Sequence, residues 1–80
     1  MNEKQRQKNE IDYEQWMEKK DGGRIYSFEI PGKSGWKAKY LKEVNNDEVT
    51  TRFWQEIYDD KNVMIEIHEK YPIDKGHQKL

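Results

Sequence analysis

The sequence predicts an α+β domain in which one N-terminal amphipathic helix packs on a four-stranded antiparallel β-meander. Two observations carry this expectation: four segments alternate apolar and polar residues, and a segment before them has helical spacing. The alternation is clearest between Val49 and Ile67, VTTRFWQEIYDDKNVMIEI, which predicts a β-hairpin. The other elements can be laid against this hairpin in chain order.

The composition is typical of one small folded domain. Charged residues make up 39% of the 80 residues and hydrophobic ones 32%, but 15 Lys and Arg nearly balance 16 Asp and Glu, for a net charge of -1. This balance and the patterned strands favour a folded chain over a disordered one. The absence of a basic excess argues against general nucleic-acid binding. Because the chain has no cysteine, packing alone must hold the fold, without disulfides or thiolate metal sites.

The location and the domain limits are also expectations from the sequence. No apolar run approaches the roughly 18 to 20 residues that a membrane span needs, and the N-terminus MNEKQRQKNE has no apolar signal-peptide core. We therefore expect a cytoplasmic protein that makes no membrane contact. We expect residues 1–9 to be disordered or frayed, residues 10–73 to form the domain and residues 74–80 to be a flexible tail.

The first element is predicted to be a helix of about three turns from Glu10 to Lys20. Within it, Tyr13, Trp16 and Met17 follow the i, i+3, i+4 rule and would form one apolar stripe. The glycines after Lys20 supply a plausible left-handed stop. The helix would need a partner surface for its stripe.

Two strands are predicted next, from Arg24 to Ile30 and from Trp36 to Val44. The loop Pro31–Gly35 between them contains GKS but lacks the rest of a phosphate-binding motif, so a plain hairpin loop is the better interpretation. After the second strand, a two-residue Asn46-Asp47 turn would pair Val44 with Val49. The same register places Tyr40 opposite Phe53, Ala38 opposite Gln55, and Trp36 opposite Ile57.

The central hairpin is predicted to turn through a three-residue loop, Asp60–Asn62, with Asn62 in the left-handed conformation. On one face, the predicted partners are Asp59 with Val63, Ile57 with Ile65, Gln55 with Ile67, and Phe53 with Glu69. On the other face they are Tyr58 with Met64, Glu56 with Glu66, and Trp54 with His68.

One face of the resulting sheet is predicted to be apolar, and the helix or a second copy of the chain should cover it, since it would otherwise expose a large patch. This face comprises Tyr26, Phe28, Ile30, Trp36, Ala38, Tyr40, Phe53, Ile57, Val63, Ile65 and Ile67.

The other face of the sheet is the candidate binding surface, because it would gather charged and aromatic side chains. It comprises Lys37, Lys39, Arg52, Trp54, Glu56, Tyr58, Glu66 and His68. Mixed charge with Trp, Tyr and Arg favours a non-enzymatic module that binds another protein or a second copy of itself. We expect neither a cofactor nor a metal ion, because His68 and Glu66 do not make a closed ligand set.

Two other functions stay open. A single-stranded nucleic-acid binder would stack bases on Trp54 and Tyr58 and contact phosphates with nearby lysines, although carboxylates on the same face oppose this. A small nuclease or hydrolase would use Glu56, Glu66 and His68 for acid-base chemistry.

Three segments, GWKAKYLKEV, RFWQEIYD and EIHEKYPIDKGH, together resemble a family of short, uncharacterised prokaryotic proteins. The likeness extends from Arg24 to His77. It implies a stand-alone cytoplasmic domain of microbial origin, but no activity and no site residues, because the function of that family is unknown.

Overall fold

The computed structural model describes residues 2–80 and shows one helix followed by a six-stranded antiparallel sheet. Every strand pairs with the next one in the sequence, so the α+β class and the antiparallel meander are confirmed, but there are six strands rather than four. Within this part of the chain, no helix has the length and apolar character that crossing a membrane requires. The elements are α1 (Glu3–Asp12), β1 (Gln15–Glu18), β2 (Arg24–Pro31), a 3₁₀ turn (Lys33–Gly35), β3 (Lys37–Val44), β4 (Thr50–Tyr58), β5 (Met64–Tyr71) and β6 (Gly76–Lys79).

The additional strands lie at the two edges of the sheet. Residues 76–79 form β6, and residues 15–18 form β1. The predicted division of the chain into a frayed segment, a domain and a tail stays a prediction; Met1, within that first segment, lies outside the described residues.

The helix lies earlier than predicted and is polar rather than amphipathic. Asn2 caps it, because its side-chain oxygen accepts a hydrogen bond from the backbone N–H of Gln5 at 3.1 Å. Good helix formers follow, with an i, i+4 ion pair between Lys8 and Asp12 at 2.9 Å. Tyr13 is extended and ends the helix. The prediction of a helix from Glu10 to Lys20 is therefore wrong.

The helical spacing in that segment predicts a helix, but its aromatic residues are equally typical of a strand, which is what residues 15–18 form. Trp16 pairs with Tyr26 across β1 and β2, with the two ring centroids 6.1 Å apart. The glycines end no helix there; Gly22, with φ of +89°, instead takes the left-handed position in a three-residue hairpin loop after Lys19.

The same loop type recurs at two later hairpins. In the predicted Asp60–Asn62 loop, which is confirmed, Asn62 has φ of 63° and Asp59 N–H donates to the Val63 carbonyl at 3.0 Å. Between β3 and β4 the predicted two-residue turn is wrong, because Glu48 occupies the same left-handed position, with φ of 62°.

The longer turn moves the register of β3 against β4 by one residue and a β-bulge at Thr51 moves it by another, so Tyr40 pairs with Gln55 and Ala38 with Ile57. The predicted partners of Val44, Tyr40, Ala38 and Trp36 are therefore wrong. A shift of two residues leaves every side chain on its original face, so the apolar faces of the two strands still coincide.

The register of β4 against β5 changes within the hairpin. Tyr58 pairs with Met64 as predicted, but Ile65 is an extra residue on β5, a β-bulge, and the register then slips by one. The observed partners beyond it are Ile57 with Glu66, Glu56 with Ile67, Gln55 with His68, and Trp54 with Glu69. The predicted pair of Asp59 with Val63 is confirmed by the hydrogen bond across the turn. The remaining predicted pairs of this hairpin are wrong, and a slip of one residue exchanges the faces of Glu66, Ile67 and His68.

Directly paired residues share a face of the sheet, so the register defines two faces. One face, which we call the helix-bearing face, carries Tyr26, Phe28, Ile30, Ala38, Tyr40, Lys42, Phe53, Gln55, Ile57, Glu66 and His68. The opposite face carries Ser27, Glu29, Lys37, Lys39, Leu41, Glu43, Arg52, Trp54, Glu56, Tyr58, Ile67 and Glu69.

Hydrogen bonds attach the polar helix to one end of the helix-bearing face. We call Asn9, Tyr26, Lys42 and Glu48 the clamp. Glu48 Oε1 accepts from the Tyr26 hydroxyl and, at 3.3 Å, from Asn9 Nδ2, while Lys42 Nζ donates to Asn9 Oδ1 at 2.9 Å. Asn9 and Tyr26 are fully buried and Glu48 is 5% exposed. Buried polar groups that satisfy one another fix the position of the helix.

Candidate functional site

The eight residues of the predicted binding surface do not share one face. Lys37, Lys39, Arg52, Trp54, Glu56 and Tyr58 lie on the opposite face, while Glu66 and His68 lie on the helix-bearing face. The bulge at Ile65 causes the division. Glu56 is therefore separated by the sheet from the other two members of the predicted acid-base group.

Trp54 is buried rather than exposed on the surface. Its side chain is 4% exposed, and the guanidinium carbon of Arg52 lies 3.7 Å from the ring centroid. The indole Nε1–H donates to Glu56 Oε2 at 2.9 Å. A nucleic-acid base would have to displace Arg52 before it could stack on this ring.

Arg52 is held in turn by Glu69 on β5. Its Nε donates to Glu69 Oε2 at 3.0 Å, and its Nη2 donates to the other carboxylate oxygen, which gives a bidentate pair. This pairing raises the pKa of Arg52 and lowers that of Glu69. The cation is occupied within the fold and is not offered to a phosphate.

Other polar groups of the opposite face are also paired. The Tyr58 hydroxyl donates to Glu56 Oε1 at 2.7 Å, and burial followed by this hydrogen bond raises the pKa of Tyr58 to about 12. Lys37 Nζ lies 3.1 Å from a Glu29 carboxylate oxygen and 5.4 Å from the Tyr58 ring centroid. The register places Lys39 between Glu29 and Glu56. Most of the charged groups of this face therefore lie beside a group of opposite charge.

His68 and Glu66 take part in the attachment of β6. His68 Nε2 lies 2.6 Å from Asp74 Oδ1, and the two imidazole centroids of His68 and His77 are 4.4 Å apart. Hydrogen bonding from the Gly76 backbone, then from His68, lowers the pKa of Asp74. His77 Nδ1 is 3.4 Å from a Glu66 carboxylate oxygen.

This cluster has the residue types of a general base but not its accessibility. The second ring nitrogen of His68, Nδ1, is buried and has no hydrogen-bond partner, so a substrate cannot reach it. Among residues 2–80, no group of three or more His, Cys, Asp or Glu side chains is arranged to hold a metal ion. The geometry suits a contact between neighbouring strands.

The accessible site lies at the other end of the helix-bearing face. There an open cleft of about 510 Å³ has an apolar floor of Ile30, Trp36, Ala38 and Ile57. Trp36 is 45% exposed and Ile30 is 48% exposed. We call this the open cleft.

A second cleft, of about 410 Å³, adjoins the first at Trp36. Ile65 and Leu80 supply its apolar lining, and Glu66 and Lys79 its charged groups. The bulge contributes directly to this surface, because it places Ile65 and Glu66 side by side in the same cleft. The two clefts form one continuous surface around the Trp36 ring.

The helix leaves this half of the face uncovered because it is too short and too far away. Ten helical residues span about 15 Å, whereas an eight-residue strand spans about 26 Å. The last contact from the helix side is Tyr13, whose ring centroid is 5.5 Å from that of Phe28. Beyond Phe28, Ile30 and Trp36 are about half exposed.

Lysines stand at the rim of the clefts. Lys33 and Lys37 line the first cleft, whose lining includes no carboxylate, and Lys79 lines the second. Within residues 2–80, Lys33 and Lys79 form no ion pair, whereas Lys37 is paired with Glu29.

The floor of the open cleft lies on the face that the sequence predicts to be apolar, but the helix that was expected to cover it does not. The available signal was the polarity of residues 3–10: a segment with so few apolar side chains could not bury the whole apolar face of a sheet. Comparisons of the chain with protein-family models, with curated proteins and with solved structures found no match.

Proposed function

We propose that the protein is a non-enzymatic interaction module that binds another polypeptide through the open cleft and its extension around Trp36. The observation that carries the proposal is the half-exposed Trp36 in an apolar floor, at the one end of the helix-bearing face that α1 does not cover. Aromatic side chains in such a setting are the usual anchors of protein interfaces. The binding surface thereby moves from the face that the sequence favoured to its reverse side.

The shape of the surface supports a polypeptide partner. Two adjoining open clefts share one aromatic ring, which suits a chain that lies along the sheet better than a compact molecule that requires enclosure. The polar opposite face, with most of its charged groups beside a group of opposite charge, is what a solvated side of such a module requires.

The two alternative functions have less support. A nucleic-acid binder would need accessible aromatic rings and free cations, but Trp54 is buried beneath Arg52, and Arg52 is paired with Glu69. A nuclease would need Glu56 beside His68, and these residues lie on different faces. The cytoplasmic location and the prokaryotic origin stay predictions.

Site-specific photo-crosslinking tests the proposal. A benzoylphenylalanine in place of Ile30, expressed in the source cells, should form a discrete adduct with a polypeptide. The matched control replaces Val49, which is 57% exposed at the opposite end of the sheet. Adducts at position 30 should disappear when Trp36→Ser is added. The same adducts from both positions, or loss of the adduct after nuclease treatment, would contradict polypeptide binding at the open cleft.

A further inference from the structure

We infer that the open cleft takes a polypeptide segment in which apolar or aromatic residues are flanked by Asp or Glu. This inference rests on the proposed function and adds the chemistry of the partner. It follows from the distribution of charge around the two clefts.

The floor and the rim of the surface differ in character. Ile30, Trp36, Ala38 and Ile57 give the floor no charged group, so burial of partner atoms there is favoured only if those atoms are apolar. Around this floor, the cationic side chains of the two linings are Lys33, Lys37 and Lys79, and the one carboxylate side chain is Glu66.

The charges at the rim are not equally available. Lys37 is paired with Glu29 at 3.1 Å, and the β5–β6 register places Lys79 opposite Glu66. Lys33 forms no ion pair with any of residues 2–80, and the lining of its cleft includes no carboxylate. The charge next to the apolar floor is therefore positive, and an approaching segment is favoured if its flanking groups are negative.

The same charges argue against a second copy of the chain as the occupant. A symmetric dimer through this face would bring each patch against its own counterpart. The lysines of the two rims would then lie close together, and like charges at an interface are unfavourable. Acid-flanked segments meet the surface without this repulsion.

A peptide titration followed by nitrogen-proton NMR tests the inference on the whole protein. Three peptides serve as probes: a central Leu-Phe-Leu flanked on each side by two glutamates, the same centre flanked by lysines, and three central serines flanked by glutamates. The first should bind at least ten-fold more tightly than the other two at low salt. Its shifts should centre on the Trp36 indole N–H and the backbone of residues 30–38, and its advantage over the lysine peptide should shrink as salt is added.

Charge reversal at the rim supplies the matched variants. Lys33→Glu combined with Lys79→Glu should invert the preference, so that the lysine-flanked peptide becomes the tighter ligand. The control is Lys4→Glu combined with Lys20→Glu, which reverses two exposed lysines away from the clefts and should leave the preference unchanged.

The outcomes separate this inference from the proposed function. Equal binding of the glutamate-flanked and lysine-flanked peptides would overturn the charge assignment, while the crosslink from position 30 would still uphold the interaction module. Equal binding of the serine-centred peptide would show an ionic surface only and would also overturn the inference. Cleft resonances that shift with protein concentration and with no peptide would assign the surface to a second copy.

Discussion

The two halves of the helix-bearing face both carry apolar side chains but differ in how much of them is buried. In the half under α1, Tyr26 is fully buried, and so is Val44, which pairs with Arg24 on the same face of the sheet. In the open half, Ile30 and Trp36 keep nearly half of their surface exposed. Apolar content therefore does not decide which half is covered. The covered half differs in having polar side chains that bind the helix.

The clamp explains how so polar a helix is held. Ile11, an apolar residue of α1, is 83% exposed, so the helix contributes little apolar surface to the contact. Hydrogen bonds from Asn9 to Glu48 and from Lys42 to Asn9 take the place of an apolar stripe. Arg24 adds an ion pair to Glu10 at 2.7 Å, close to the clamp. The floor of the open cleft, formed by Ile30, Trp36, Ala38 and Ile57, has no charged side chain that could hold the helix in this way.

The largest effect should come from Tyr26→Ala, which removes an aromatic ring from the centre of the covered half. Truncation of a buried aromatic residue costs about 3 to 5 kcal/mol of unfolding free energy. For a small domain, this is a large share of a total of about 5 to 15 kcal/mol. Urea unfolding followed by circular dichroism measures the loss. Tyr71→Ala, at a residue that is 49% exposed, is the control and should cost much less. Equal losses would show that the clamp is not the centre of stability.

A smaller effect separates the clamp from the turn in which Glu48 lies. Glu48 and Asn62 occupy the same left-handed position of equivalent three-residue loops. Glycine relieves backbone strain at both. Asn62→Gly should therefore leave the free energy of unfolding unchanged or slightly higher. Glu48→Gly should lower it by about 1 to 3 kcal/mol, because Tyr26 and Asn9 lose a buried acceptor.

Amide hydrogen exchange provides the second readout for this pair of variants. In Glu48→Gly, the amides of α1 should exchange faster than those of the sheet, because the helix detaches first. In Asn62→Gly, α1 should keep its protection. Similar stability in the two glycine variants would mean that the Glu48 carboxylate adds nothing to the attachment of the helix.

Alternation along each strand was enough to predict the class of the fold and, on β2, β3 and β4, the apolar face. The predicted β3–β4 register was wrong by two residues, yet the faces survived because side chains alternate with a period of two. The bulge at Ile65 has a larger consequence, because a register shift of one residue moves the side chains beyond it to the other face of the sheet. Nothing in the segment MIEIHEKY reveals it, because Ile65 and Ile67 continue the alternation across the bulge. For this reason the predicted binding surface is wrong at Glu66 and His68.

The helix was misplaced for a different reason. The spacing of Tyr13, Trp16 and Met17 predicts a helical stripe. Trp16 and Met17 instead lie in β1, where neighbouring side chains point to opposite faces of the sheet. The sequence does not predict the clamp. Asn9 and Glu48 are 39 positions apart, and a polar residue such as Asn is more typical of caps and turns than of a buried contact. Long-range polar contacts of this kind leave no periodic signal.

The covered half should also respond to alkaline pH. Burial, then the hydrogen bond with Glu48, raises the pKa of Tyr26 above its ordinary value of 10.0, and burial raises that of Tyr13. The native state thus keeps these protons at pH values where the unfolded chain has lost them. Their contribution is complete below pH 10 and is lost as the pH rises through their native pKa values. Burial lowers the pKa of Lys42, so its effect is opposite. Below pH 10.5 the unfolded chain keeps this proton more readily than the native state, which lowers the free energy of unfolding.

Urea unfolding across this pH range tests the expectation. The free energy of unfolding should fall above pH 10, and the fall should be shallower in Tyr26→Phe, which has no phenolic proton to lose. Carbon-13 labelling of the tyrosine ring carbons reports the ionisation of Tyr26 directly. Titration of Tyr26 at or below pH 10 would show that the clamp does not favour the protonated phenol.

The smallest effect on stability should come from Trp36→Ala in the open half, because much of that ring already lies in water. We expect a loss of about 1 kcal/mol, the typical cost of a single substitution, against the much larger cost of Tyr26→Ala. The native protein should bind the dye anilinonaphthalene sulfonate, an apolar anion that matches the floor and the lysine rim, and the variant should bind it several-fold more weakly. Val49→Ala, another exposed apolar residue, is the control for the dye. A stability loss at Trp36 as large as that at Tyr26 would place Trp36 in the core, and the contrast between the two halves would then fall.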